Sequence, residues 1–324
     1  MAIFTTTNRI KYLIRHYGTV AGAVLILTVF ALSSPYFFTV ENFLLILKQM
    51  SMLAIVSLGF SFVMAAGGFD MSIGYAMGLV NVILASTLNT TSSLIVALGA
   101  ALGVGLGVGF INGLLVAYLH LPDFIATFAV GSVTFGAKML YSGGHPIFLH
   151  HPSSIFLAIG QGYVGPIPIP VIIMLVILVI VLLVLHRTKF GRHIYAIGGN
   201  PMAALYAGIN VRRNRFYTFL ISGLSVAVTS IVLTSRMGSG QPQAGENFLL
   251  DAISVCFLST TMFGEGEPTG AGVFVGAFII TMLNNGLTML NVPYQVQFIT
   301  KGVVVILAVL LSVVLGRKVQ IRLL

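Results

Sequence analysis

Charge is what this sequence has least of. Asp, Glu, Lys and Arg make up 7% of its 324 residues, while 57% are hydrophobic. A soluble domain carries about 25% charged residues because its surface must be polar. A water-soluble globule of this size is therefore excluded, and most of the surface must face hydrocarbon. Acids are scarcest: Glu41, Asp70, Asp123, Glu246, Asp251, Glu265 and Glu267 are the whole set, each at or near the end of an apolar run. Ion-coupled carriers hold ionisable groups within the membrane, and none is expected at mid-depth here. No GxxxxGKS/T phosphate loop occurs, which removes ATP binding of that kind. A separate ATPase subunit fits both absences. Cys256 is the single cysteine, so an intrachain disulfide and a CxxC metal site are ruled out. His145, His150 and His151 share a long loop without a defined ligand set, so no metal is expected. No hydrolytic constellation falls on the apolar runs, and neither catalytic residues nor enzyme activity is expected. Trp is absent, leaving Tyr17, Tyr141, Tyr163, Tyr217 and Tyr294 as interface anchors.

What the chain has instead is a succession of apolar runs. A spanning helix needs about 20 apolar residues, and ten candidate spans can be marked. They are Tyr17–Phe38, Phe43–Ala66, Met71–Leu88, Leu94–Leu119, Phe124–Tyr141, Ile169–Leu185, Phe216–Thr234, Phe248–Phe263, Gly270–Leu290 and Val296–Leu315. The expectation is an all-α, polytopic membrane protein, a single transmembrane domain over residues 1–324. The basic N-terminus before Tyr17 resembles a signal peptide, but no small-residue cleavage site precedes Pro35, so a retained helix is expected. Residues 142–168 read as a long external loop.

The net charge of +9 would raise nucleic acid as a partner for a soluble protein; here it reports cytoplasmic loops, and no nucleic acid is expected. With the N-terminus cytoplasmic and spans alternating, twelve of the 16 Lys and Arg fall on cytoplasmic segments: Arg9, Lys11, Arg15, Arg187, Lys189, Arg192, Arg212, Arg213, Arg215, Arg317, Lys318 and Arg322. Lys48, Lys138, Arg236 and Lys301 fall near the other side. Both termini come out cytoplasmic.

An internal repeat is also legible. Asn42-Phe43-Leu44-Leu45 recurs as Asn247-Phe248-Leu249-Leu250, each opening a span that ends in a Gly-rich break, Gly67-Gly68-Phe69-Asp70 or Gly264-Glu265-Gly266-Glu267. Pseudo-repeats of about 42–141 and 247–316 are expected, as in many transporters. Between them, residues 186–215 form a polar, basic connection. There Asn200 can cap a short helix with Pro201 at its first turn and Gly208 past its end. A lipid-anchored basic loop explains the same residues equally well.

That connection resembles the cytoplasmic loop of ribose-type permeases of bacterial ABC importers. The family pattern RTxxGRxIYAIGGNxxAAxxxGI is matched from Arg187 through Ile209. A GGIDLSVG-like stretch is matched by Gly67-Gly68-Phe69-Asp70-Met71-Ser72-Ile73-Gly74. Gln241-Pro242, Ala244-Gly245, Leu250-Asp251-Ala252-Ile253 and Leu283-Asn284-Asn285-Gly286-Leu287 follow in order. The resemblance implies a permease of the bacterial inner membrane, paired with a second copy or a paralogue. It implies a cytoplasmic ATPase subunit carrying ATP and Mg, with no cofactor on this chain, and a periplasmic or lipid-anchored sugar-binding protein. It further implies that Arg192, Asn200, Pro201, Ala203, Ala204, Leu205 and Gly208 belong to the helix that couples the ATPase to transport. The chain departs from the family over Leu258–Gly266, where a glycine-rich stretch is replaced by Leu258-Ser259-Thr260-Thr261-Met262-Phe263-Gly264-Glu265-Gly266. Phe69 and Met71 also replace commoner residues, which leaves the cargo and the choice between homodimer and heterodimer open. A ribose-like pentose or a hexose is the expected cargo. A furanose-like signal or a nucleoside is the alternative, and an ion-coupled secondary transporter the more distant one.

Several residues carry two readings. Asp70 and Ser72 can line the pathway at a polar break, or Asp70 can cap the following helix, the favoured reading. Asn284 and Asn285, like Asn81 and Asn112, can meet a solute's hydroxyls or bond another helix, the latter favoured. Arg236 and Glu246 flank an external loop and are candidates for docking the binding protein, or form a local ion pair there. Gly103, Gly105, Gly107 and Gly109 should allow close helix packing.

Overall fold

The computed structural model describes residues 27–262 and 266–315. Most of the first expected span, with Tyr17, Arg9, Lys11 and Arg15, lies outside the described residues, as do Phe263, Gly264, Glu265, Arg317, Lys318 and Arg322. The chain is a bundle of helices. A first helix, α1, covers described residues 27–33. Then come α2 (Val40–Ala65), α3 (Ile73–Thr91), α4 (Leu94–Gly113), a π-helical turn (Leu114–Tyr118), α5 (Asp123–Ser142), α6 (Ser154–Gln161) and α7 (Ile169–Arg187). The second half holds α8 (Lys189–Gly199), α9 (Pro201–Tyr206), α10 (Val211–Met237), α11 (Glu246–Met262), α12 (Gly270–Met289) and α13 (Tyr294–Leu315).

Seven of these, α2, α3, α4 with its π turn, α5, α7, α10 and α12, are long and apolar enough to cross a membrane. Side-chain oxygens punctuate them: Thr39, Ser93, Asn210 and Thr269 each accept a backbone N–H in the first turn of α2, α4, α10 and α12, donors that a helix leaves unsatisfied. The eighth predicted span, Phe248–Phe263, is matched closely by α11, which has 17 residues and starts at Glu246. The unexpected feature is that the chain after α10 turns back inward before becoming helical. Gly240 packs against Asn81 and Ala85, the Pro242 carbonyl against Gly78, and Gly245 against Gly74 and Met77. The segment thus descends along α3 before α11 begins.

The loop expected over 142–168 is also more ordered than a coil, and the all-α expectation needs a small amendment. Two short antiparallel pairs form outside the helices, Ile147–Phe148 with Ser239–Gly240 and Tyr163–Val164 with Ile167–Pro168, and α6 sits between them.

The centre of the bundle is α10, which packs on α2, α3 and α4. Its buried side is rich in small hydroxyls: Thr218, Ser222, Ser225, Thr229, Ser230, Thr234 and Ser235 are all buried. Small residues let backbones approach where lipid offers no hydrophobic drive between helices. Gly105 and Gly109 meet Gly223, Ala227 and Phe219 of α10 in this way, whereas Gly103 and Gly107 have no described atom within 4 Å of where a Cβ would stand. Half of the expected glycine stripe is packing surface, and the other half faces outward.

Candidate functional site

The break between α2 and α3, residues 66–72, is where the most elements converge. Gly67 adopts φ +72°, a conformation that favours glycine, and turns the chain so that Asp70 points into the bundle, where it is 2% exposed. Asp70 Oδ1 accepts from the Ser72 amide at 3.0 Å and the Ser72 hydroxyl at 2.6 Å. Ser222 of α10 donates to Oδ2 at 2.8 Å, and Asn112 of α4 reaches Oδ1 at 3.4 Å and Ser72 Oγ at 2.8 Å. Asp70 takes the Ser72 amide just before α3, whose N-cap, Ser72, has no side-chain cap bond, and the same carboxylate joins the start of α3 to α4 and α10. Neighbouring amides are held by α5: Phe69 N–H donates to Asp123 Oδ2 at 3.3 Å and Met71 N–H to Thr127 Oγ1 at 3.0 Å. Asp123 in turn takes a two-pronged bond from Arg215 Nη2 at 2.7 and 2.6 Å.

The 186–215 connection touches this break directly. Thr188 caps α8, and Asn200 accepts from the amides of Met202 and Ala203 at 3.1 Å to start α9 with Pro201 in its first turn. Gly208, at φ +80°, ends α9 as its N–H bonds Leu205 and the Ile209 N–H bonds Ala204. Helix α8 buries Ile194 and Ile197 completely. At its end Gly198 lies so close to the Ala65 carbonyl that a Cβ would collide with it, and that Cβ would also come 3.3 Å from the Gly67 amide. The Tyr195 hydroxyl donates to the Pro268 carbonyl at 2.9 Å. Burial, then the nearby Glu267 charge, pushes that hydroxyl's pKa well up, so it remains a donor at neutral pH. On the other side of this unit, Ala203, Met202, Leu205 and Tyr206 are exposed, as is Arg192, while Ala204 packs inward.

The remaining predicted residues are separate from the break. Asn81 Oδ1 accepts from Thr234 at 2.9 Å, and its Nδ2 has no hydrogen-bond partner among the described residues. Asn285 and Asn42 exchange amide bonds at 2.9 and 3.2 Å, linking α12 to α2. Asn284 donates to Asp251 Oδ2 at 3.0 Å, where Lys301 Nζ also lies 3.0 Å from both oxygens. The interhelical reading of both asparagines is therefore the one the contacts favour.

Arg236, in the last turn of α10, and Glu246, at the head of α11, flank the segment 238–245, but they do not pair locally: the Glu246 carboxylate lies 2.7 Å from Lys138. The interior of the bundle also holds ionisable groups. Lys138 is 0% exposed, and Asp70 and Asp251 are also buried inside the bundle. Counting residues to the ends of apolar runs missed this, because the break at 66–72 folds inward with Asp70, and the inward run of 238–245 brings Glu246, at the head of α11, beside Lys138. The lone Lys138 and Lys301 within otherwise apolar spans were the available signal.

A known family covers this architecture. The family described as "Branched-chain amino acid transport system / permease component" matches residues 42–314. The chain is 34% identical over 310 residues to the ribose import permease protein RbsC of Haemophilus influenzae, covering 95% of this chain and 96% of that protein. It is 35% identical over 310 residues to the RbsC of Bacillus subtilis, with the same coverage. It is 33% identical over 305 residues to the galactose/methyl galactoside import permease protein MglC of Haemophilus influenzae, covering 88% of this chain and 90% of that protein. No solved structure matches the chain. Ribose-type permeases were the resemblance legible in the Arg187–Ile209 and Gly67–Gly74 stretches, and the chain belongs to this permease family, as a multi-pass membrane transport subunit rather than an enzyme.

Proposed function

We propose that this chain is the membrane-spanning permease subunit of a bacterial ABC importer in the inner membrane. Its cargo is a monosaccharide, a ribose-like pentose or a hexose, delivered by a periplasmic or lipid-anchored binding protein. The observation that carries the reading is that permeases named for ribose, galactose and L-arabinose align over at least 88% of the chain. Hydrolysis of ATP with its Mg belongs to a separate cytoplasmic ATPase subunit, in keeping with the missing phosphate loop. A second copy or a paralogue completes the pathway, which opens to one side at a time.

Ten spans in two pseudo-repeats, with both termini cytoplasmic, complete this proposal. Support comes from α13, which adds an apolar helix to the seven long ones, from α11 at the place of the eighth span, and from α1 at the start of the described chain. In the same frame α9 is the coupling helix. Its exposed Met202, Leu205 and Tyr206 suit a cleft on the ATPase, and Gly198 against Ala65 gives its movement a rigid route to the break at 66–72. Asp70, Ser72, Asn81, Asn284 and Asn285 are proposed to tune the helix contacts beside the pathway, and Arg236 to serve docking of the binding protein.

Affinity purification of the chain from its native membrane in mild detergent tests the assembly. An ATPase subunit and a sugar-binding protein should co-purify, and proteoliposomes of that complex should import sugar only with internal or external ATP at the nucleotide face. Solute accumulation by the chain alone on an ion gradient would sink the proposal.

A further inference from the structure

Lys138 and Glu246 form an ion pair that packing alone does not require. Lys138 is wholly enclosed, and its stem lies across α3 where Gly78 has no side chain; a Cβ there would come 2.8 Å from Lys138 Cδ and 3.2 Å from Nζ. Its Nζ is 2.7 Å from Glu246 Oε1, with the side chains 0% and 38% exposed respectively. The same Nζ lies 5.1 Å from the centre of the Tyr75 ring and 5.0 Å from that of Phe135. These rings meet edge to face, 5.3 Å apart and inclined by 70°. Phe135 is 40% exposed, so the ring and the carboxylate both open outward from a buried ammonium.

Depth gives this arrangement meaning. Gly78, the α3 residue under Lys138, lies about 20 Å below the outer end of that helix at Thr91, at 1.5 Å per residue. Glu246 reaches this level because the 238–245 segment runs down α3. An ionisable side chain that is 38% exposed does not face acyl chains at such depth, since ionisable groups in a bilayer turn toward protein or a wet cavity. Carboxylate oxygens accept hydrogen bonds from hydroxyls, and aromatic rings cover the apolar C–H face of a ring-shaped solute. Charge, hydroxyl acceptors and an aromatic platform are the groups a monosaccharide needs.

We infer that Glu246 and Phe135 form a monosaccharide contact on the translocation path, with Lys138 as the positioning residue that holds the Glu246 carboxylate and Tyr75 completing the aromatic wall. The inference rests on the proposed sugar cargo and moves Glu246 from docking to contact with the solute itself.

Trp is absent from this chain, so Phe135→Trp adds an indole at the site, and its signal is the difference between the Phe135→Trp complex and the unmodified complex under the same titration. D-ribose and D-galactose, titrated into the purified Phe135→Trp complex, should change its emission saturably in the millimolar range, with sorbitol as the control for viscosity. Adding Glu246→Gln should weaken that titration about tenfold, the scale of one lost charge-assisted hydrogen bond, and Lys138→Met should weaken it comparably. Co-purification of the ATPase shows that each variant is assembled, and the conservative Glu246→Gln keeps the side chain's shape. A titration that is not saturable, or that Glu246→Gln leaves unchanged, overturns the site. So does a loss of binding-protein affinity in Glu246→Gln with the titration intact, since that makes Glu246 a docking group. Uptake by the unmodified complex separates the two levels. Import of either sugar with a silent reporter removes only the site, whereas import of neither removes the sugar cargo as well.

Discussion

Replacing Gly198 with Ala adds one methyl group at the contact between the cytoplasmic unit and the membrane bundle. The Cβ would collide with the Ala65 carbonyl oxygen and stand 3.1 Å from the Ala65 carbonyl carbon and 3.3 Å from the Gly67 amide. All three are backbone atoms, which cannot rotate away as a side chain can. Relief therefore requires α8 to move away from the break by roughly 1 Å, and such overpacking costs about 1–3 kcal/mol. Gly199, one residue on, supplies the control, because no described atom lies within 4 Å of its Cβ position. Gly199→Ala should be neutral or slightly stabilising, since Ala exceeds Gly in helix propensity by up to about 1 kcal/mol. The separation between the two variants is then about 2–3 kcal/mol, or roughly 3–4 °C in the thermal midpoint of the detergent-solubilised protein. The displaced α8 should also lower the sugar imported per ATP hydrolysed, which a mere loss of folded protein would leave unchanged. Equal midpoints for Gly198→Ala and Gly199→Ala would refute the reasoning, because the close backbone contact would then not exist.

Lys301→Met leaves Asp251 buried without its cation and should cost about 3–5 kcal/mol, while Lys301→Met with Asp251→Asn should recover most of that, as apolar or neutral replacements of whole buried pairs do; thermal midpoints of the two variants decide it. A double-mutant cycle on Asn42→Leu and Asn285→Leu should return a coupling of about 1 kcal/mol, the size of interhelical amide bonds in membranes, and independent effects would mean that the reciprocal pair is not made. Asn200→Ala removes both cap bonds of α9 and should cost about 1 kcal/mol locally; the expected readout is weaker retention of the ATPase during purification, with sugar binding at the Phe135→Trp reporter unchanged.

Much of this molecule could be read from its sequence, for physical reasons that differ by region. The spans α2 to α5, α7, α10 and α12 were visible because a bilayer forces long uninterrupted apolar runs. The start of α9 was visible because Asn followed by Pro is a local signal that needs no tertiary contact. The bond from the Ser72 amide to Asp70 is local, yet the bonds of Asp70 to Asn112 and Ser222 join residues distant in sequence, and no local pattern announces them. Glu246 was misplaced for a related reason. Its neighbours Gly238, Gly240 and Gly245 read as an external turn, and only the packing of Gly240 on Asn81, Pro242 on Gly78 and Gly245 on Gly74 shows that the segment runs inward. The pairing of Lys138 with Glu246 rather than of Arg236 with Glu246 follows from that descent.

The central place of α10 has a consequence for how the chain is made. Ribosomes complete α2, α3, α4 and α5 by Ser142, but α10 ends only at Met237. At about 5–20 residues per second, the early helices wait roughly 5–20 s for the partner that supplies Ser222 to Asp70, Thr234 to Asn81 and the facing backbone to Gly105 and Gly109. During that interval those helices are in or near the bilayer with their polar and small-residue faces uncovered. Synthesis that stops anywhere before Met237 therefore leaves an early half that is inserted but unable to close, and its clearance falls to whatever proteases survey the membrane.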